Sequence, residues 1–356
     1  MTLRLPGRFS VALLMAGIVA IGLLVTSESI VCWRAVDPQS LTPGNRATHG
    51  WVRGLTWSAD GTTLFAESRG ERYLEFQWTA HDMTLAEDRG SVWEDLLGIT
   101  SVEASLSPNA RKILLTTERG NLAWMDLASY ETTEFKAPPS AHFKLPTMSY
   151  DARLLAAATD RGVVYLCRAT QGPLIACESA ESAEVTKLLF SDDNQQLLAC
   201  RYNGKIEIWD TSTGTLQHCL CGQPNVVAAA FLQDGTKVIS SLGGDCVQIT
   251  ELNTGKVCWQ EPHGLRGLNG VWRLEPSPDG SLVAWAGIDN QVVICDLKQS
   301  RKRIEFENPS YVSNIRFSPD NKYLAVAGSE PVVRIYNTST GHEERRIDTR
   351  LALTRQ

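Results

Sequence analysis

The chain has 356 residues, of which 43% are hydrophobic and 21% charged, so it can build a packed core and is not wholesale disordered. Its 34 Lys and Arg against 40 Asp and Glu leave a net charge of −6, which argues against nonspecific nucleic-acid binding, because that needs a basic face. The 27 glycines and 15 prolines suit a turn-rich fold and exclude collagen-like or low-complexity sequence.

Residues 1–28 come first. Met1–Arg8 carries Arg4 and Arg8 and no acid, Phe9–Ser27 carries no charge, and Val11–Val25 is apolar or glycine throughout. As a helix rising about 1.5 Å per residue, the uncharged run reaches about 28 Å, close to the thickness of a bilayer hydrocarbon core. A short basic segment before such a run reads as a membrane anchor or a cleaved signal peptide. The run is long for a signal peptide, and Val25-Thr26-Ser27 is a weak cleavage site, which favours the anchor. Val31 before Cys32 fits a lipoprotein site badly. In both leading readings Arg4 and Arg8 stay in the cytoplasm and the remainder crosses the membrane. The bilayer is thus an expected partner through residues 9–27, and residues 29–50 read as a linker.

From Trp51 a phrase recurs seven times: a short alternating strand, a Ser-x-Asp-Gly-like turn, an apolar strand, a tight polar turn and a third strand. The turn residue falls at Asp60, Asn109, Asp151, Asp193, Asp234, Asp279 and Asp320, with spacings of 49, 42, 42, 41, 45 and 41. A small-residue turn such as Thr254-Gly255 and a more polar fourth strand, as in Lys256–Trp259, complete each unit. The second strands are near-continuous apolar runs (Leu154–Ala158, Leu324–Ala327), which suits sheets buried on both faces. One four-stranded sheet cannot cover two apolar faces, whereas seven arranged radially cover each other. The expected fold is therefore all-β, a seven-bladed propeller over 51–348 behind one N-terminal apolar helix, with a tail at 349–356.

The phrase resembles the WD40 repeat. The FSPDG-like turns carry the resemblance: Phe317-Ser318-Pro319-Asp320-Asn321, Pro276-Ser277-Pro278-Asp279-Gly280 and Trp57-Ser58-Ala59-Asp60-Gly61. The Trp-Asp pair survives once, at Trp209-Asp210, and the Gly-His dipeptide ahead of each blade is absent. In that family the His joins a buried network with an Asp and the Trp. Those networks are expected to be mostly missing here, leaving blade stability to apolar packing. WD40 rings usually close with an N-terminal strand in the last blade. Here the C-terminus is expected to supply all four, the last being His342–Asp348, with 30–37 as the competing segment.

No catalytic set emerges. The six histidines lie singly, and there is no HExxH, GxSxG or phosphate loop. Nine cysteines, an odd number scattered along the chain, make no disulfide framework and read as small buried hydrophobes. No cofactor or metal is expected.

Rim positions offer the partner-binding candidates. The position about ten residues beyond each turn reads Arg69, Arg119, Arg161, Asn203, Gly244, Asp289 and Glu330. This predicts a basic arc over blades one to three, suited to an acidic segment of a partner, and acids over blades six and seven. The long connections add Trp93, Trp259, Arg266 and Trp272. The resemblance implies that second-to-third-strand turns share a rim with the loops between blades, where partners commonly bind. The functional expectation is a non-catalytic protein-interaction platform, membrane-anchored and extracytoplasmic, or periplasmic or secreted after cleavage. The alternatives are an exported propeller enzyme or small-ligand binder of the lactonase or quinoprotein kind, and a cytoplasm-facing tethered scaffold.

Overall fold

The structure is a computed structural model. It describes residues 52–349 apart from 59, 69–71, 79–82, 89–100, 108–111, 118, 127–128, 130, 171, 181–182, 222–227, 233–234, 242–245, 263–270, 288 and 299–300. The expected apolar helix and segment 30–37 lie outside the described residues. No helix among the described residues is long and apolar enough to cross a membrane.

The described chain forms seven four-stranded antiparallel sheets, each built from four consecutive strands. Blade one runs from Val52–Trp57 to Met83–Asp88, blade four from Val185–Phe190 to Leu216–Cys221, and blade seven from Val312–Phe317 to Glu343–Asp348. The first strands of most neighbouring blades touch each other, so they line the axis. Val52–Trp57 also packs on Val312–Phe317, and that contact closes the ring. The last blade takes its fourth strand from the C-terminus, as expected.

The Ser-x-Asp turn is a hydrogen-bonded unit. In blade one the Ser58 hydroxyl donates to Asp60 Oδ1 at 2.6 Å and accepts from the Thr63 N–H at 2.9 Å. Asp60 Oδ1 also accepts from the Thr62 N–H. The same pattern recurs around Ser149 and Asp151, Ser191 and Asp193, Ser277 and Asp279, and Ser318 and Asp320. Each turn thereby joins the first strand to the second at a fixed length, and this recurring bond pattern accounts for the repeating motif.

Burial follows strand position. Second strands such as Leu154–Thr159 and Gln196–Arg201 are buried at five of six positions, because sheets cover both faces. Fourth strands such as Leu216–Cys221 and Val257–Pro262 alternate exposed and half-buried residues at the periphery. Each apolar cluster combines two adjacent blades. Trp209 sits in the cluster of blades three and four, Trp285 in that of five and six, and Leu55 with Ile335 in that of one and seven. Among the described residues no blade has a core of its own, so none is expected to fold alone.

Four first strands carry a bulge between their first and third residues, at Val52/Gly54, Val185/Lys187, Val271/Arg273 and Val312/Asn314, as does that of blade two. A bulge turns subsequent side chains to the opposite face. Beyond it the fourth and sixth residues are buried and the third and fifth half-buried, as in Leu188 and Phe190 against Lys187 and Leu189.

The cysteine expectation needs correction. Cys167, Cys177, Cys200 and Cys295 are buried, and burial pushes the first three thiols up to about 12. Cys219, Cys221 and Cys258 are exposed, because they lie on peripheral fourth strands. None of the eight described cysteines is joined in a disulfide.

Candidate interaction surface

The rim strip is assembled from three consecutive blades. Arg119 and Arg161 are both exposed at the tips of second-to-third-strand turns. Gly120 follows Arg119 with φ 76°, a backbone state glycine adopts freely, and its carbonyl accepts from the Phe143 N–H at 2.9 Å. A side chain at Gly120 would strike the His142 ring. His142, in the loop between blades two and three, sits against the next turn: its N–H donates to Asp160 Oδ1 at 3.3 Å, and Nδ1 lies 3.4 Å from Asp160 Oδ2. The Asp160 N–H donates back to the His142 carbonyl at 3.1 Å. Turns and inter-blade loops thus share one rim, and Arg119 is joined to Arg161 through Gly120, His142 and Asp160. Burial would raise the Asp160 carboxyl, but the His142 hydrogen bonds and the His142 and Arg161 charges hold it below the ordinary range.

The strip continues into blade four. Arg201 Nη1 donates to the Gly162 carbonyl at 2.9 Å and to the Ala183 carbonyl at 2.7 Å. Arg201 Nε donates to Glu207 Oε2 at 2.6 Å, and the Ser179 hydroxyl donates to Glu207 Oε1 at 2.5 Å. Neighbouring Tyr202 is 46% exposed, although its N–H is tied to the Glu184 carbonyl. Tyr and Arg are the residue types that anchor protein interfaces.

Two expectations change here. Blade stability does not rest on apolar packing alone, since a buried Arg201–Glu207 network ties blade three to blade four. By contrast, the surviving Trp-Asp pair makes no such network at its indole: Trp209 is buried and its Nε1 has no acceptor among the described residues. The predicted acidic side of the rim is also largely structural. Glu330 accepts from Arg334 Nη2 at 2.6 Å, and Asp289 accepts from the Gln291 N–H at 3.3 Å within its own turn.

The other candidates are spread apart. Trp259 is half-buried against the apolar cluster of blades five and six. Trp272, on the first strand of blade six, is half-buried with Nε1 enclosed. Arg69, Trp93 and Arg266 lie outside the described residues. Tyr202 escaped the sequence reading because the aligned turn position falls on Asn203, one residue later. No cluster of three His, Cys, Asp or Glu side chains suited to a metal forms among the described residues.

Residues 147–234 match the family described as "Anaphase-promoting complex subunit 4 WD40 domain", and residues 301–337 match "WD domain, G-beta repeat". The chain is 36% identical over 90 residues to a chromatin assembly factor 1 component of Mus musculus, covering 25% of this chain and 16% of that protein. It is 27% identical over 142 residues to WD repeat-containing protein SL1-17 of Schistosoma mansoni, covering 39% and 46%. An uncharacterized WD repeat-containing protein of Synechocystis is 24% identical over 249 residues, covering 68% and 71%. The chain therefore spans less than half the length of the first two relatives. Both matched stretches are thus similar to WD40 repeats, and the relatives of Schistosoma mansoni and Synechocystis are WD repeat-containing proteins.

Proposed function

We propose that this WD40-repeat chain is a non-catalytic platform that offers the rim of blades two to four to an acidic segment of a protein partner. The observation that carries the reading is the continuous strip from Arg119 through His142 and Arg161 to Tyr202, held from beneath by Arg201. Two exposed guanidinium groups capture carboxylates or phosphates, and the exposed Tyr adds an apolar anchor beside them. Matched relatives are named as a component of chromatin assembly factor 1 and as a SIR4-interacting protein, which supports a role within assemblies.

The run over residues 9–27 would hold the platform in a membrane, with the propeller on the extracytoplasmic side. A second reading, the cytoplasm-facing tethered scaffold, is favoured by the exposed free thiols of Cys219, Cys221 and Cys258, since thiols persist in reducing compartments. A membrane-impermeant maleimide applied to intact cells separates the two. Labelling of these cysteines before lysis supports the extracytoplasmic platform, and labelling only after lysis supports the cytoplasmic one. Affinity capture of the full chain from detergent-solubilised membranes tests the platform role itself. Recovery of a stoichiometric protein partner supports it, and turnover of a substrate by the purified chain would overturn it.

A further inference from the structure

At the rim opposite the Arg119 and Arg161 turns, each blade brings together its first-to-second-strand and third-to-fourth-strand turns. In blade four the two are tied: the Thr211 N–H donates to the Gln195 carbonyl at 3.0 Å, and its hydroxyl donates to the Asn194 carbonyl at 2.7 Å. A cavity of about 250 Å³ opens there between blades four and five. Asp193, Gln196, Asp210, Gln217 and His218 line it from blade four, and Asn253 from blade five. No lysine or arginine stands among its described lining residues.

Hydrogen bonding fixes which way the amides point. The Ser212 hydroxyl leads the hydrogen bonds that hold the Asp210 carboxyl below the ordinary range, against the opposing effect of burial. The ionised carboxylate can only accept, so Gln217 turns Nε2 to Asp210 Oδ2, at 3.1 Å. Gln217 Oε1 then accepts from Gln196 Nε2, also at 3.1 Å. Gln196 Oε1 is thereby turned away from Gln217 and lies beside Gly235 of blade five, where an added Cβ would stand 3.7 Å from it. That oxygen is enclosed, and no donor reaches it among the described residues. Asp193 has capacity to spare as well. Its Oδ1 accepts from the Ser191 hydroxyl at 2.6 Å and the Gln195 N–H at 2.9 Å, while Oδ2 accepts no hydrogen bond among the described residues.

We propose that this cavity receives the guanidinium group of an arginine side chain from a protein partner, donating to Asp193 Oδ2 and Gln196 Oε1. Pockets that hold whole small molecules run to about 300–1,000 Å³, so a cavity of about 250 Å³ suits one side chain rather than a cofactor. Two carboxylates and an unanswered amide oxygen call for a cation that donates and does not accept. Guanidinium carries five N–H donors in one plane, which matches acceptors set on different side chains better than the compact ammonium of lysine does. The site lies on the other rim from the surface offered to an acidic segment and stands independently of it.

Saturation-transfer NMR on the full chain in detergent, at physiological salt, tests the site with three capped tripeptides: Gly-Arg-Gly, Gly-Lys-Gly and Gly-Gln-Gly. Saturable binding of the arginine peptide is expected, with the lysine peptide weaker and the glutamine peptide not bound. Asp193→Asn keeps the Oδ1 acceptor that closes the turn, and blade two carries Asn109 at the same turn position, so this variant is expected to fold. It should weaken binding about tenfold or more, the effect of losing one charged hydrogen bond. If it does not fold, Gln196→Met, which removes the amide oxygen, reads the same loss. Arg161→Gln on the other rim should bind the peptide as the wild type does, so failure here is distinct from failure of the platform reading. Absence of saturable binding of the arginine peptide would overturn the proposal, as would equal affinity in the wild type and a folded Asp193→Asn variant. A lysine peptide bound as tightly as the arginine peptide would show attraction by charge alone and would overturn the guanidinium assignment.

Discussion

Arg201 and Glu207 form an ion pair at 2.6 Å with 0% and 3% of their side chains exposed. The pair joins the second and third strands of blade four, and the same guanidinium reaches across to the Gly162 carbonyl in the turn that displays Arg161. A buried charge without its partner costs far more than the intact pair contributes. Arg201→Met is therefore expected to lower unfolding stability by about 3–5 kcal/mol, and Arg201→Met with Glu207→Leu to recover most of that loss. Chemical denaturation of the three proteins checks this, and additive losses would contradict it. Because Arg201 also braces the rim turn, the double variant should bind the partner more weakly than the wild type while remaining folded.

Acid should weaken the turns between first and second strands. The Ser58 hydroxyl, followed by the N–H and hydroxyl of Thr62, holds the Asp60 carboxyl at about 2, against an ordinary 3.8. The unfolded chain takes up the proton first, so the turn's contribution is complete above about pH 4 and is lost as pH falls toward 2. Asp279 and Asp320 are lowered in the same direction by their own turn hydrogen bonds, against the opposing effect of burial. Denaturation midpoints followed from pH 5 to 2 should fall for the wild type and fall less for Asp60→Asn.

Closure predicts cooperativity. Ile347 packs against the cluster shared by blades one and seven, and Glu343 lies 3.5 Å from Arg334. Deleting 343–356 bares the edge of Val332–Asn337 and part of that cluster. Aggregation or a broad, uncooperative melting curve is expected. An unchanged melting temperature would mean that another segment closes the ring.

The N-terminal run should govern fractionation. Full-length protein is expected in membranes and resistant to high-salt extraction, whereas a chain lacking residues 1–28 should be released. A mature protein starting near Glu28 and recovered in the soluble fraction would replace the anchor with a signal peptide.

The blade count, strand order and C-terminal closure were legible in the sequence, because each depends on a period and on local turn chemistry such as that of Ser58 with Asp60. The paired Arg119 and Arg161 turns were legible for the same reason. Arg201–Glu207 was not, since Arg201 ends an apolar run and Glu207 sits in an alternating strand where a charge reads as solvent-facing, and only the neighbouring blade brings the Gly162 carbonyl to the guanidinium. Tyr202 was missed by one place in the repeat alignment, since a rim position is set by turn geometry rather than by count.

Docking on the rim of blades two to four would depend on its exposed guanidinium groups, and one comparison of variants decides it. Arg119 and Arg161, together with Arg69, are replaced by Gln, and affinity capture from solubilised membranes is repeated beside the wild type, with the melting temperature of both recorded. Loss of an acidic partner at an unchanged melting temperature is the predicted result. The same partners recovered in the same amounts by the folded variant would contradict it.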